Sequence, residues 1–213
     1  LKLAGFSMIL TIVFGVGSGV LMAVQKDRML DHVLGTFSTV ALSVPGFWIA
    51  IVLIFIFAEQ WKILPSSGIS DGSGFILPAI TLALPSIGVC ARLTRSAILD
   101  EIGRQYMTVA DAKGMSRRRA VIRHAFGNAL IPIITYLGNH MAGIIGGASI
   151  VETIFAIPGI GSYAIAGVQS KDYYVVQAYV LFSGCIYVLT NILIDLIYIA
   201  LDPKIRAGEA VES

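Results

Sequence analysis

Apolar residues run with little interruption through five stretches, roughly 3–24, 33–58, 75–94, 129–151 and 174–201. About 20 residues of helix cross a bilayer, and each stretch is that long. One such stretch could be a buried helix of a soluble protein; five in one short chain predict an all-α polytopic membrane protein. The polar residues collect between the stretches. "QKDRMLDH" separates the first two, and "EQWKILPSSGISDGSG" the second and third. A long basic segment, about 95–128, separates the third and fourth, and "ETIFAIPGIGSYAIAGVQSKDY" the fourth and fifth. No composition shift divides the chain, so residues 1–213 read as one transmembrane domain.

Composition agrees with the pattern. Of 213 residues, 56% are hydrophobic and 13% charged, against roughly 25% charged in soluble domains. A net charge of +2 gives no reason to expect nucleic acid. Cys90 and Cys185 lie in apolar runs and read as small buried hydrophobes, not as a disulfide or a metal pair.

If the stretches alternate in direction, twelve of the fifteen Lys and Arg fall on one side, leaving Lys2, Lys62 and Lys171 on the other. Positive charge is retained in the cytoplasm. The basic segment and the C-terminus are therefore expected inside and the start of the chain outside. Pro45, Pro85 and Pro132 fall within spans, where neighbouring helices satisfy the freed carbonyls. Gly15 and Gly19, and Gly143 and Gly147, have the four-residue spacing that lets helix backbones approach.

The basic segment has an order of its own. From Ser96 to Ala112, Ile98, Ile102, Tyr106, Val109 and Ala110 recur at helical spacing. Lys113-Gly114 would close that helix, and Ser116 would cap the next. Arg117, Arg118 and Arg119 then oppose the dipole at a helix N-terminus, so local stability does not explain them. Anionic headgroups are one explanation. Docking to a cytoplasmic partner is the other, and it alone accounts for a defined bend.

"YMTVADAKGMSRRRAVIRHAFGNALIPIIT" resembles the cytoplasmic signature loop of ABC-importer permeases, and more narrowly the dipeptide/oligopeptide/nickel permease family. The matching positions are Tyr106, Ala110, Ala112, Lys113, Gly114, Arg123, His124, Ala125, Asn128, Ala129 and Pro132. "LPAITLALP" (77–85), "RLTRS" (92–96), "GGASIVETIFAIPGIG" (146–161) and "NILIDLIYIALDPKIR" (191–206) extend the likeness over nearly the whole chain. Thr108 and Val109 depart from the broader signature, and Asp111 and Gly127 stand where the family usually has basic residues.

The resemblance implies a permease subunit of an ATP-driven, binding-protein-dependent importer of peptides or of nickel or chelated metal, in a bacterial or archaeal plasma membrane. It implies a second, homologous permease, two cytoplasmic ATPases and an external solute-binding protein as partners. ATP and Mg would be used by the ATPases, with no cofactor, metal or catalytic residue in this chain. The chain indeed has no G-x-x-x-x-G-K-[ST] loop. The family has six spans, so the first would be absent here and encoded before Leu1. The ATPase-coupling loop would comprise Tyr106, Ala110, Ala112, Lys113, Gly114, Ser116, Arg123, His124 and Asn128.

Other residues keep two readings. Asn139 and His140 lie mid-span and either line the translocation path or pack. Glu152, Pro158 and Gly159 form either a capped turn or a surface for the binding protein. Asp195, four residues after Asn191, is expected to make an inter-helix hydrogen bond or a cap. The alternative function, a self-sufficient secondary transporter or channel subunit, would need several intramembrane acids and often an internal repeat.

The topology is directly testable. Cysteines introduced as Ser67→Cys and Ser170→Cys should react with a membrane-impermeant thiol reagent on whole cells, whereas Ser116→Cys and Ser213→Cys should not. Labelling of position 116 from outside would overturn the arrangement.

Overall fold

A computed structural model describes residues 1–68, 72–104, 107, 121 and 125–201. Among these residues the regular structure is helical: α1 (Lys2–Val24), α2 (Met29–Ser43), α3 (Gly46–Gln60), α4 (Ile76–Ile102), α5 (Phe126–Gly147), α6 (Ser149–Ile154), α7 (Ile160–Gln169) and α8 (Tyr173–Leu201). Four helices, α1, α4, α5 and α8, are each long and apolar enough to cross a membrane.

The expected second span, 33–58, is two helices. Val44 and Pro45 are extended (ψ 125° and 137°), and α2 and α3 meet at 100°. A residue before proline is pushed out of the helical region, and proline has no N–H to donate. Pro85 and Pro132, by contrast, sit inside continuous helices. The third span is longer than its apolar run: α4 continues past 94 through Arg95 and Ser96 and ends only at Ile102. The helix expected over 96–112 therefore breaks at Gly103, whose N–H bonds to the Leu99 carbonyl (3.1 Å), followed by a turn from Arg104 N–H to the Glu101 carbonyl (3.2 Å).

α4 is the hub. It packs against α1, α2, α3 and α5, while α8 packs on α5. Over half (56%) of α4's apolar window is buried, against 6% of α8's, so α8 is left facing lipid or another chain. Leu3 clusters with Leu77 and Ala79, and Ala23 with Ile98, so α1 and α4 run parallel. Ser38 approaches Gly88 and Asp31 meets Arg95, so α2 runs antiparallel to α4. The bond between Asn128 and Glu101 sets α5 antiparallel to α4, and the approach of Gly138 to Ile194 sets α8 antiparallel to α5.

Two apolar clusters lie at opposite ends of α4. One joins Leu3, Ala50, Leu77, Ala79, Val151, Phe155 and Ile157; the other joins Ala23, Ile98, Val121, Ala125, Ala129 and Ile133. Between them, small residues govern the α1–α4 contact. A Cβ on Gly15 would lie 2.8 Å from Cys90 Cβ, and one on Gly19 2.5 Å from Thr94 Cβ and 2.6 Å from the Ala91 carbonyl oxygen. Of the second expected pair, a Cβ on Gly143 meets nothing within 4 Å. Cys90 is buried and Cys185 is exposed, so only the first fits the expected buried hydrophobe.

Gly19→Ala should therefore lower the stability of the transporter by about 1–3 kcal/mol, the usual cost of overpacking. Gly17→Ala, with open space around the added methyl, should change it by less than about 0.5 kcal/mol. Thermal unfolding in detergent compares the two, and equal midpoints would show that the glycine contact is not limiting.

Candidate functional site

The ends of α1 and α4 and the starts of α2 and α5 meet at one edge of the bundle. Asp31, in the first turn of α2, is 4% exposed. Arg95 grips it bidentately: Nε donates to Oδ1 and a terminal nitrogen to Oδ2, both at 2.7 Å. The Asp27 N–H adds a bond to Oδ2 at 2.9 Å. That donor is available because Asp27 adopts positive φ (63°) in the turn from α1, a conformation in which Asp is several-fold enriched among non-glycine residues.

Nearly two turns beyond Arg95 lies Glu101, 7% exposed. Its Oε1 is 3.0 Å from Arg104 Nε, and its Oε2 accepts a bond from Asn128 Nδ2 at 3.2 Å. This ties the end of α4 to the start of α5, the two feet of the basic segment. Met107, Val121 and Ala125, from within that segment, are buried. Of the expected coupling residues, Asn128 is thus placed. Tyr106, Ala110, Ala112, Lys113, Gly114, Ser116, Arg123 and His124 lie outside the described residues.

A second polar cluster lies halfway along α4. The Tyr136 hydroxyl donates to the Ser86 carbonyl at 3.2 Å, and His140 Nδ1 is 3.3 Å from Ser86 Oγ. The Tyr136 and His140 rings stack, with centroids 5.9 Å apart and planes 3° off parallel. Their four-residue spacing puts both on the α5 face that meets α4. His140 Nε2 is buried without a hydrogen-bond partner. Asn139 is half-buried, and no hydrogen bond joins it to this cluster. Asp195 is exposed on α8 with no hydrogen bond or ion pair among the described residues, and Asn191 Nδ2 turns back to the Tyr187 carbonyl at 2.9 Å. No inter-helix bond of Asp195 is formed among the described residues.

At the opposite end, Glu152 is 8% exposed in α6. Its Oε2 accepts the Ser162 N–H at 2.8 Å, while Ser162 Oγ accepts the Gly159 N–H at 3.0 Å. Glu152 therefore supplies the capping oxygen that Gly159, at the N-cap of α7, lacks. Gly159 is extended (φ −126°); the left-handed residue of this turn is Ala156 (φ 49°). A Cβ at 159 would run into the Glu152 carboxylate, so a larger residue there would have to displace that carboxylate from its cap. Pro158 lies next to it, exposed. Trp61, Tyr173 and Tyr174 are 61%, 74% and 86% exposed at helix ends, where amphipathic rings favour the membrane boundary.

The family described as "Binding-protein-dependent transport system inner membrane component" matches residues 15–207. Curated relatives include the "Probable peptide ABC transporter permease protein y4tP" of Sinorhizobium fredii, 39% identical over 97% of this chain and 68% of that protein. Another is the "Glutathione transport system permease protein GsiC" of Escherichia coli K12, 34% identical over 94% of this chain and 65% of that protein. The chain spans about two thirds of the length of these relatives. Among solved structures, the inward-facing MetNI methionine ABC transporter superposes with a TM-score of 0.75 at 16% identity, over 94% of this chain and 92% of that one. An amino acid ABC transporter superposes at 0.72 and 18%, over 92% and 87%. The fold is that of an ABC-transporter permease. The chain belongs to the family of binding-protein-dependent transport system inner membrane components, and its relatives in the peptide and glutathione systems are transport subunits.

The ion pair between α2 and α4 is open to test. Asp31→Asn would leave Arg95 without its counter-ion, and stability should fall by about 1–3 kcal/mol. Adding Arg95→Gln should restore part of the loss. Thermal unfolding of the singles and the double closes the cycle, and strict additivity would mean that the pair contributes nothing.

Proposed function

We propose that this chain is the membrane-spanning subunit of an ATP-driven importer for short peptides, glutathione-like peptides among them. In this reading it pairs with a second permease, receives solute from an external binding protein and is moved by two cytoplasmic ATPases, which bind the ATP and Mg. The basic segment and the C-terminus face those ATPases from the cytoplasm. The cargo reading rests on the peptide and glutathione relatives. Nickel or a chelated metal is the competing cargo, since substrate choice in such systems resides largely with the binding protein. Uptake of labelled dipeptide, glutathione and nickel by the same cells separates them.

The observation that carries the coupling reading is the bond between Glu101 and Asn128. It fixes the entry and the exit of the basic segment to one point. A push on the segment is then delivered to α4 and α5 together, and through α4 to α1 and α2. Alternating access follows if α4 and α5 tilt as a pair. The Ser86–Tyr136–His140 cluster, bridging the same two helices farther into the membrane, supports their moving as one.

The experiment is substrate-stimulated ATP hydrolysis by the reconstituted complex. Gly114→Val, at the expected bend, and Glu101→Gln, which weakens the tie to Arg104 and Asn128, should each reduce the stimulation by about fivefold or more, the range of a typical coupling between sites. Both variants should still insert into the membrane. Undiminished stimulation and unchanged ATPase co-purification in both would sink the coupling reading. Loss of stimulation in Glu101→Gln alone would confine coupling to the helix feet.

A further inference from the structure

A cleft of about 500 Å³ opens between the end of α1, the start of α2 and the last third of α4. Its polar end carries Arg92, Arg95, Asp31 and His32; its wall along α2 is Gly35, Thr36 and Thr39. Asp31 is already committed to Arg95 and to the Asp27 N–H. Arg92 is exposed, with no ion-pair partner among the described residues. Lys26 and Arg28 lie on the turn beside it, with Asp27 the one further carboxylate on that turn. Cations therefore outnumber carboxylates around the cleft, four to two.

Depth makes this charge informative. Gly19 touches Ala91 and Thr94, and Ala23 clusters with Ile98. Arg92 and Arg95 thus lie level with the last two turns of α1, an apolar helix long enough to cross a membrane. A cation there is costly unless an anion meets it. Arg95 has Asp31; Arg92 has none among the described residues. Below the arginines, the α2 wall is free of bulk: a Cβ on Gly35 would meet nothing within 4 Å. Val33, Phe37 and Val40 stand exposed beside it at 55%, 51% and 55%. An occupant must therefore carry an anionic group at one end and apolar chains at the other.

We propose that this cleft binds an anionic glycerophospholipid, its phosphate held by Arg92 with help from His32 and the outer face of Arg95, and an acyl chain lying along Gly35, Thr36 and Thr39. The Asp31–Arg95 pair holds Arg95 in place for the headgroup. The bound lipid completes the charge balance of α4 beside the last turns of α1. The site lies at the junction of α1, α2 and α4, so its occupancy also fastens α2 to the hub.

Native mass spectrometry of the complete transporter, extracted from membranes and exchanged into nanodiscs of phosphatidylglycerol diluted in phosphatidylcholine, tests this. The unmutated transporter should retain phosphatidylglycerol in preference to phosphatidylcholine. Arg92→Gln should weaken that retention about fivefold, the scale of one basic residue's attraction to an anionic lipid surface. Gly35→Leu, which fills the groove and leaves every charge unchanged, should also lower it. Lys62→Gln, at the opposite end of the bundle, should not. If Arg92→Gln does not yield an intact transporter, Gly35→Leu carries the test alone. Unchanged phosphatidylglycerol retention in the variants would overturn the proposal, as would a cleft covered by another subunit. Displacement of the lipid by millimolar inorganic phosphate would overturn it in favour of a free-anion site.

Discussion

The closeness of α1 to α4 is the constraint from which the rest of the bundle follows. In a bilayer, lipid tails are as apolar as leucine, so burying hydrophobic side chains gives helices little reason to associate; close backbone packing and polar contacts must do it. Gly15 and Gly19 leave no room for a Cβ against Cys90, Ala91 and Thr94. With that parallel pair set, α2 can lay Ser38 against Gly88 on another side of α4, and α5 can take a third. Parallel neighbours need a returning connection, and the bent α2–α3 pair provides it. The 100° break at Pro45 is the geometry of that return.

A second constraint is the satisfaction of polar groups away from water. Many hydroxyls in the spans bond back to the carbonyl four residues earlier: Thr11 to Ser7, Ser38 to Leu34, Thr81 to Leu77, Thr135 to Ile131 and Thr190 to Ile186. Such bonds hide the hydroxyl inside its own helix and leave the outer surface apolar. Ser86 also bonds to its own helix but reaches His140 as well. The difference is the neighbour: Tyr136 and His140 of α5 face Ser86, and the Tyr136 hydroxyl donates to the Ser86 carbonyl.

The positions of the spans, their order and the basic segment were legible because a run of apolar residues and a run of arginines are local facts of the chain. The break at Pro45 was visible as a proline but not as a bend, since proline also sits quietly in α4 and α5; only the neighbours decide between kink and continuity. The continuation of α4 through Ser96 to Ile102 is not visible in an apolar run, because apolarity stops at the edge of lipid while a helix need not. The Asp31–Arg95 pair joins residues 64 positions apart, and no spacing in the sequence links them. Asn128 stands out in the family signature and Glu101 does not, because their meeting depends on the chain between them doubling back. The spacing of Gly143 was identical to that of Gly15, and only one of the two glycines met a neighbour among the described residues.

The contact between Glu152 and Gly159 bears on inheritance. The carboxylate sits where a side chain on residue 159 would have to go, and the same carboxylate caps the helix that residue 159 begins. A change at either position is felt at the other. A lineage that enlarged residue 159 would have to swing the Glu152 carboxylate aside or shorten residue 152, and either would uncap α7 until a new residue 159 brought its own oxygen. Descendants should therefore carry either a long acid with glycine or a short residue with a self-capping serine or aspartate. Mixed combinations should be rare, and the two positions would evolve as one character.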